Sequence, residues 1–324
     1  MSAMQQHVRF GGEANTIPLA SFGCSREGAT DAAAGVHCVN GCRQIMQAAA
    51  LLRCYESALR IEFKAAQTME DWSATQYLKF EDDRTRPPRD LVAQVPLQRP
   101  RLIVDLGCGP GNSTELLVER FPQSEIVGLD SSPDMLKKAR QRLPQCSFVE
   151  ADIATWQPDP RTDLIFGNAV MQWLPDHPAI MRRLLEGMPQ GGVLAIQMPD
   201  NTREPALKFQ REVGEEGPWR DHPEIKAAAR DDLPSPESFY DLLKPVASHI
   251  DIWHSVYNHV MASPEAITEW FKGSSLQPFL SPLNAADREK FLAAYTKKII
   301  GAYKPRYDGK VLLRFPRLFI LAVR

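Results

Sequence analysis

The 324-residue chain has almost no excess charge of either sign, with 38 Lys and Arg against 40 Asp and Glu and a formal net charge of −2. Duplex nucleic acid is therefore not expected as its main partner, because phosphate binding needs a cationic excess. It also lacks any run approaching the ~20 uninterrupted apolar residues of a membrane span. The first residues carry Gln5, Gln6, His7 and Arg9 and lead into no apolar segment of a secretory signal, so a cytoplasmic location is expected. No His, Asp and Glu spacing suggests a catalytic metal.

Cysteine is scarce and unevenly placed. Four of the six (Cys24, Cys38, Cys42 and Cys54) fall within residues 1–68, which hold one of the 26 prolines (Pro18) and none of the six tryptophans. Only Cys38 and Cys42 are close in sequence, with His37 beside them, and no second pair completes zinc-ribbon spacing. Residues 1–68 therefore read as an N-terminal extension with incidental thiols, poorly ordered apart from a helix over 43–66, where Ala, Leu, Gln, Glu and Arg dominate. The remaining 256 residues, 69–324, have ordinary globular composition, and Met69 at their start is compatible with a mis-assigned initiation codon.

From residue 100 the chain alternates short apolar runs with helical stretches. RLIVDLGCG, EIVGLD, SFVEAD, TDLIFGNAV and GGVLAIQMP read as strands, and helices are expected over Ser113–Arg120, Pro133–Leu143 and Ala179–Met188. Repeated β-α units predict an α/β fold, a parallel Rossmann-like sheet with helices on both faces and its strand C-terminal ends along one ligand-binding edge. After Pro199 the rhythm stops. Helical segments at about 200–249 and 260–310, including Pro264–Lys272 and Ala285–Ala302, are expected to cap that edge, and strands Asp251–Val260 and Val311–Val323 to join the sheet.

The loop after the first strand carries the chemistry. Asp105, Gly107, Gly109 and Gly111 alternate with other residues in Asp105-Leu-Gly-Cys-Gly-Pro-Gly-Asn-Ser, and the glycines allow backbone turns and close ligand approach that a Cβ would block. A dinucleotide site is the competing reading, but the third glycine comes one residue early, and the Asp105 carboxylate would repel a pyrophosphate. Asp105 suits a phosphate-free cation instead, which describes S-adenosyl-L-methionine. Asp130 ends the second strand where a carboxylate can accept ribose hydroxyls, with Ser131 and Met135 following it. Asp152 and Ile153 at the third strand's end fit the adenine, and Asn168 at the fourth fits the reacting end. Cys108 reads as a packing residue and His177 as a helix-start residue.

VDLGCGPGNST, GLDSSPDML, FVEADI, FGNAVMQWLPDH, QMPDN, GPWRD and LRFPRLF, with Asp71-Trp72, Tyr77-Leu and Arg84-x-Arg86-Pro87 upstream, resemble class I methyltransferases. More narrowly they resemble the trans-aconitate methyltransferase family, over residue 69 to the C-terminus. The resemblance implies transfer of a methyl group from S-adenosyl-L-methionine to a carboxylate of a small polycarboxylate, giving a monomethyl ester. No catalytic base is needed, since the acceptor is already ionised at pH 7, but arginines should clamp the carboxylates that are not methylated. Candidates are Arg84 and Arg86, then Arg314 and Arg317 in the last strand. Trp72 and Tyr77 are expected as lid aromatics, Trp173 as a wall, and Tyr257 and His259 as hydrogen-bond donors. The alternatives are another acid acceptor, carrier-bound or free, on the same fold, and a cofactor-binding protein without catalysis.

Overall fold

The computed structural model describes residues 80–324, so the helix expected over 43–66, the cysteines of the first segment, the 68/69 boundary, Trp72 and Tyr77 lie outside the described residues. Helix α1 (Glu81–Gln94) leads into β1 (Leu102–Leu106), α2 (Asn112–Arg120), β2 (Glu125–Asp130), α3 (Pro133–Arg142), β3 (Ser147–Glu150), β4 (Thr162–Asn168), α4 (His177–Gly187) and β5 (Val193–Pro199). Then come α5 (Pro205–Glu216), α6 (Pro223–Ala228), α7 (Pro236–Leu243), β6 (His249–Met261), α8 (Pro264–Lys272), α9 (Gln277–Leu280), α10 (Ala285–Ala302) and β7 (Val311–Val323).

Seven strands form one sheet in the order β3-β2-β1-β4-β5-β7-β6. β1 to β5 are mutually parallel, as the β-α rhythm predicts. All five residues of β1 are buried, as befits a strand covered on both faces. Its side chains alternate between two cores. Ile103 joins Leu164, Phe166, Val193 and Ala195 on one face, while Val104 and Leu106 join Ile165, Leu194 and Ile196 on the other. Helix α3 starts where its sequence says it should, with Pro133 in its first turn and the Ser132 hydroxyl accepting the Met135 N–H at 3.4 Å.

The late strands join the sheet as expected, and their order positions the site. β7 inserts between β5 and β6 and runs antiparallel to both. That direction brings the beginning of β7 to the C-terminal edge of β5, pairing Arg317 with Pro199. Beyond Pro199, β7 residues 311–316 pair with β6 alone, so the two strands project past the edge as a ribbon. Helix α8 packs on this ribbon through Trp270 and Phe271 against Phe315, and α10 packs on α8, where the Thr268 and Thr296 hydroxyls lie 3.0 Å apart.

One strand ends earlier than its sequence suggests. β3 stops at Glu150, and Asp152 lies two residues beyond it. The Asp152 carboxylate accepts the Ala154 N–H at 2.9 Å, a local turn that takes the chain out of the ladder.

Candidate active site

The glycine-rich turn has the backbone its composition requires. Gly107, Gly109 and Gly111 take φ of 61°, 54° and 95°, and Gly111 immediately precedes α2. At Gly107 the missing side chain serves packing, since a Cβ there would stand 2.3 Å from Val170 Cγ2. At Gly109 a Cβ would meet nothing within 4 Å, so this glycine opens space above the sheet edge.

Asp105 is fully buried beneath this turn. Its Oδ2 accepts from the Ser113 and Thr114 hydroxyls at 2.8 and 2.7 Å, tying β1 to the first turn of α2. Its Oδ1 is buried without a hydrogen-bond partner among the described residues. Desolvation pushes the carboxyl up to about 7 against those two hydrogen bonds, with Asp130 adding to the rise. Asp130 accepts the Gly109 N–H and the Ser132 N–H, both at 2.9 Å. A carboxylate has about four acceptor directions, so Asp130 braces both loops and keeps capacity for a ligand's hydroxyls. Burial also raises its proton affinity.

The remaining residues expected on this side line up along the same edge. Met135 and Ile153 are buried apolar neighbours of the strand ends, and Ser131 and Asp152 are exposed. Asn168 ends β4, with its Oδ1 buried and without a partner among the described residues. Ala169 follows with φ of 54°, a left-handed conformation that costs a non-glycine residue free energy. Its N–H is held by the Gln197 carbonyl at 2.9 Å and its carbonyl accepts from the Gln172 side chain. Arg183 was not anticipated. From α4 it donates to the carbonyls of Ile153, Ala154 and Trp156, fixing the loop after β3. Cys108 and His177 behave as expected. The thiol packs with Leu136, Ala139 and Phe148, and burial pushes it up. The His177 ring, at the first residue of α4, lies 3.0 Å from the Leu174 carbonyl.

These features suit S-adenosyl-L-methionine. A buried carboxylate oxygen and a buried amide oxygen without partners among the described residues, a left-handed glycine facing open space and a braced carboxylate at β2 offer acceptors for a cationic, hydroxyl-bearing ligand.

Next to Asn168 the edge opens into a small cavity of about 70 Å³. Its walls are Ala169, Gln172 and Trp173 after β4, Pro199 and Asn201 after β5, Phe315 and Arg317 of β7, Trp270, Phe271, Ser274 and Ser275 of the cap, Arg84 of α1 and Arg230. Three guanidinium groups line it, and among the described residues no carboxylate does. Arg317 is buried and donates to Gln197 Oε1 at 3.1 Å. Arg84 donates to the Trp270 carbonyl at 2.9 Å and lies 4.7 Å from the Trp270 ring.

The structure thus places Trp173, Arg84 and Arg317 at the cavity and moves other expected residues away from it. Arg86 is exposed, its guanidinium 5.1 Å from the Tyr257 ring. Arg314 is exposed and ion-paired with Glu204. It sits an odd number of residues from Arg317, and the pleat sends it to the opposite face. Tyr257 donates its hydroxyl hydrogen to Asp90 at 2.7 Å, and His259 Nδ1 lies 3.1 Å from Asp83. Both rings are buried and tie β6 to α1 instead of lining the cavity. Burial holds the His259 imidazole below its usual range, against the opposing pull of the Asp83 carboxylate. Arg230 and Asn201 were missed. Asn201 lies in QMPDN, directly after the fifth strand, which was a usable signal. Arg230 has none, because its approach depends on the fold of the cap.

Comparison with known proteins agrees with this geometry. Residues 103–192, which contain nearly all of the cofactor-side edge, match the family model described as a methyltransferase domain. The fold is that of a class I methyltransferase, a class dependent on S-adenosyl-L-methionine. A trans-aconitate 2-methyltransferase of Rhodopseudomonas palustris is 56% identical over 256 residues, covering 79% of this chain and 100% of its own. One from Agrobacterium fabrum is 52% identical over 253 residues, 78% of this chain and 99% of its own. The chain belongs to the trans-aconitate 2-methyltransferase family. Among solved structures, the YcgJ protein of Bacillus subtilis shares the fold, with a TM-score of 0.50 and 14% identity over 74% of this chain and 98% of its own.

Among the described residues no helix is long and apolar enough to cross a membrane, and no group of three His, Cys, Asp or Glu could hold a metal ion.

Proposed function

We propose that the chain forms the monomethyl ester of trans-aconitate or a closely related small polycarboxylate. The observation that carries this reading is the cavity beside Asn168, lined by Arg84, Arg230 and Arg317 and by no carboxylate among the described residues. The names of the relatives support the same acceptor. S-adenosyl-L-methionine, when bound, supplies a methyl group on a cationic sulfur to a nucleophilic oxygen. Asp105, the three glycines, Asp130, Ser131, Met135, Asp152, Ile153 and Asn168 are the residues that would hold it.

What the protein's own residues contribute is positioning. The acceptor carboxyl, with a pKa near 4, is ionised at pH 7 and needs no group to remove a proton. The arginines bind carboxylates through paired N–H donors, which fix orientation as well as charge. Trp173, Trp270, Phe271 and Phe315 exclude water, strengthening those contacts. Asn168 and the strained Ala169 stand between the acceptor cavity and the glycine turn, through the packing of Val170 on Gly107. Attraction between anionic acceptor and cationic cofactor fades as their charges cancel, so orientation supplies most of the rate.

The catalytic unit on this reading is residues 69–324, a span equal in length to the 256-residue match. The cap comprises about 200–249 and 260–310. The reaction is placed in the cytoplasm on this reading, and the near-zero net charge supports a small-molecule acceptor with no nucleic-acid or membrane partner. Transfer of radiolabelled methyl to a panel of di- and tricarboxylates tests it. Base-labile label on trans-aconitate is expected, and no transfer to any acid would overturn the proposal.

A further inference from the structure

The three guanidinium groups belong to two different walls. Arg84 and Arg317 share one, since Arg84 lies on the Trp270 ring, Arg317 Cζ lies 4.6 Å from the Phe315 ring, and those rings are 5.8 Å apart. Arg230 stands on the other. It lies between α6 and α7, its Cζ is 5.5 Å from the Trp173 ring, and its Nη2 donates to Asn201 Oδ1 at 2.9 Å. Its Nε is buried without a partner among the described residues. Burial also pulls the guanidinium down to about 10, with Asp200 opposing the shift. A half-buried guanidinium held by a neutral amide and an aromatic face leaves donor capacity that an anion would complete.

A ligand held at one cationic wall can still rotate about that attachment. Held at two, it presents one remaining group in a set direction. The third direction in this cavity is the Asn168–Ala169 edge, next to the glycine turn.

We propose that Arg230 is a specificity-determining residue, holding one carboxylate of the acceptor on the Trp173 wall while the Arg84–Arg317 wall holds another. The acceptor class is then a tricarboxylate gripped at two carboxylates and methylated at the third. On this arrangement Arg230 decides which carboxylate is esterified, and a dicarboxylate, lacking one of the gripped groups, should be a poorer acceptor. This inference rests on the reading of the protein as a carboxyl methyltransferase.

The test compares wild type, Arg230→Lys and Arg230→Ala with trans-aconitate and with an unsaturated dicarboxylate of the same chain length. It reads KM and kcat for each acid, the ester regioisomers by NMR, and acid binding by calorimetry in the presence of S-adenosylhomocysteine. Wild type is expected to prefer the tricarboxylate and give one regioisomer. In Arg230→Ala the KM and Kd for the tricarboxylate should rise about tenfold or more, with the dicarboxylate changing less than about threefold. A mixture of regioisomers should appear. Arg230→Lys keeps the charge but not the planar fork, so it should recover affinity more than regiochemistry. If Arg230→Ala does not fold, the lysine variant carries the test through its regioisomer ratio. Equal losses for both acids, or an unchanged preference with a single regioisomer, would overturn the assignment. Failure of wild type to methylate any acid would instead sink the underlying reading.

Discussion

On the proposed function, the two halves of the active edge are built by opposite means. The cofactor half is assembled from neighbours in sequence. Residues 105–111, 130–135, 152–153 and 168 sit at successive ends of β1 to β4, and much of its bonding is to backbone, as where Asp130 accepts from Gly109 and Ser132. The acceptor half gathers Arg84, Trp173, Arg230, Trp270 and Arg317 from α1, the loop after β4, two parts of the cap and β7. A backbone cradle tolerates few substitutions at its turns. A side-chain cavity can be retuned one residue at a time, because each member hangs from a separately packed element.

The sharpest way to break the contrast is at Gly107. Alanine there combines a left-handed φ with a collision on Val170, two penalties that together amount to roughly 2–6 kcal/mol. Cofactor binding by calorimetry should be abolished and Tm lowered. Gly109→Ala bears only the conformational cost, about 1–2 kcal/mol, so it should fold and still bind cofactor poorly. Equal Tm losses for both would show that Val170 does not distinguish the two turns.

The next largest effects should cross. Asp130→Ala is expected to weaken cofactor binding by about 1–3 kcal/mol while leaving the affinity for acid in the cofactor-loaded protein unchanged. Arg317→Ala should raise KM for the acid about tenfold or more and leave the cofactor Kd in place. Parallel losses in both constants for either variant would merge the two halves into one site.

A smaller effect follows from Asp105. Its carboxyl, ordinarily near 3.8, is lifted to about 7 in the folded protein. Between those values the folded state keeps a proton that the unfolded chain has released, so stability from this group is present at low pH and is lost as pH rises through 7. A bound cation favours the ionised form, so cofactor affinity should increase over the same range. Asp105→Asn should flatten both dependences in melting and calorimetric series from pH 5 to 8, and a profile like that of wild type would remove Asp105 from the linkage.

Smallest of all should be Arg314→Ala. Its ion pair with Glu204 is solvent-exposed and, discounted for screening, contributes below ~1 kcal/mol. KM for the acid should stay unchanged, whereas a tenfold rise would return Arg314 to the acceptor site.

The cofactor half was legible because its determinants are local. A glycine turn announces itself by composition, and a strand-end aspartate is located as soon as the strand is. Even there Asp152 fell beyond β3, since an aspartate that caps its own turn reads in sequence like one that ends a strand. In the acceptor half, arginines could be listed from the chain but not sorted. Arg314 and Arg317 stand in the same heptapeptide, and only the pleat and the antiparallel pairing with β5 send one to Glu204 and the other to Gln197. Arg86 and Arg84 divide in the same way on α1. Tyr257 and His259 looked like donors free to meet an acid, but Asp90 and Asp83 across the packed α1 take their hydrogen bonds.

The sequence by itself determined the parallel half of the sheet, the glycine turn and the aspartate that ends β2, because periodicity and backbone conformational freedom are properties of residues a few positions apart. Only the tertiary structure decided which guanidinium groups converge. Arg230 enters the cavity because the segment between α6 and α7 folds back on the sheet edge, where Asn201 after β5 and Trp173 after β4 receive it. That convergence depends on packing between elements distant in the chain, and no local pattern encodes it.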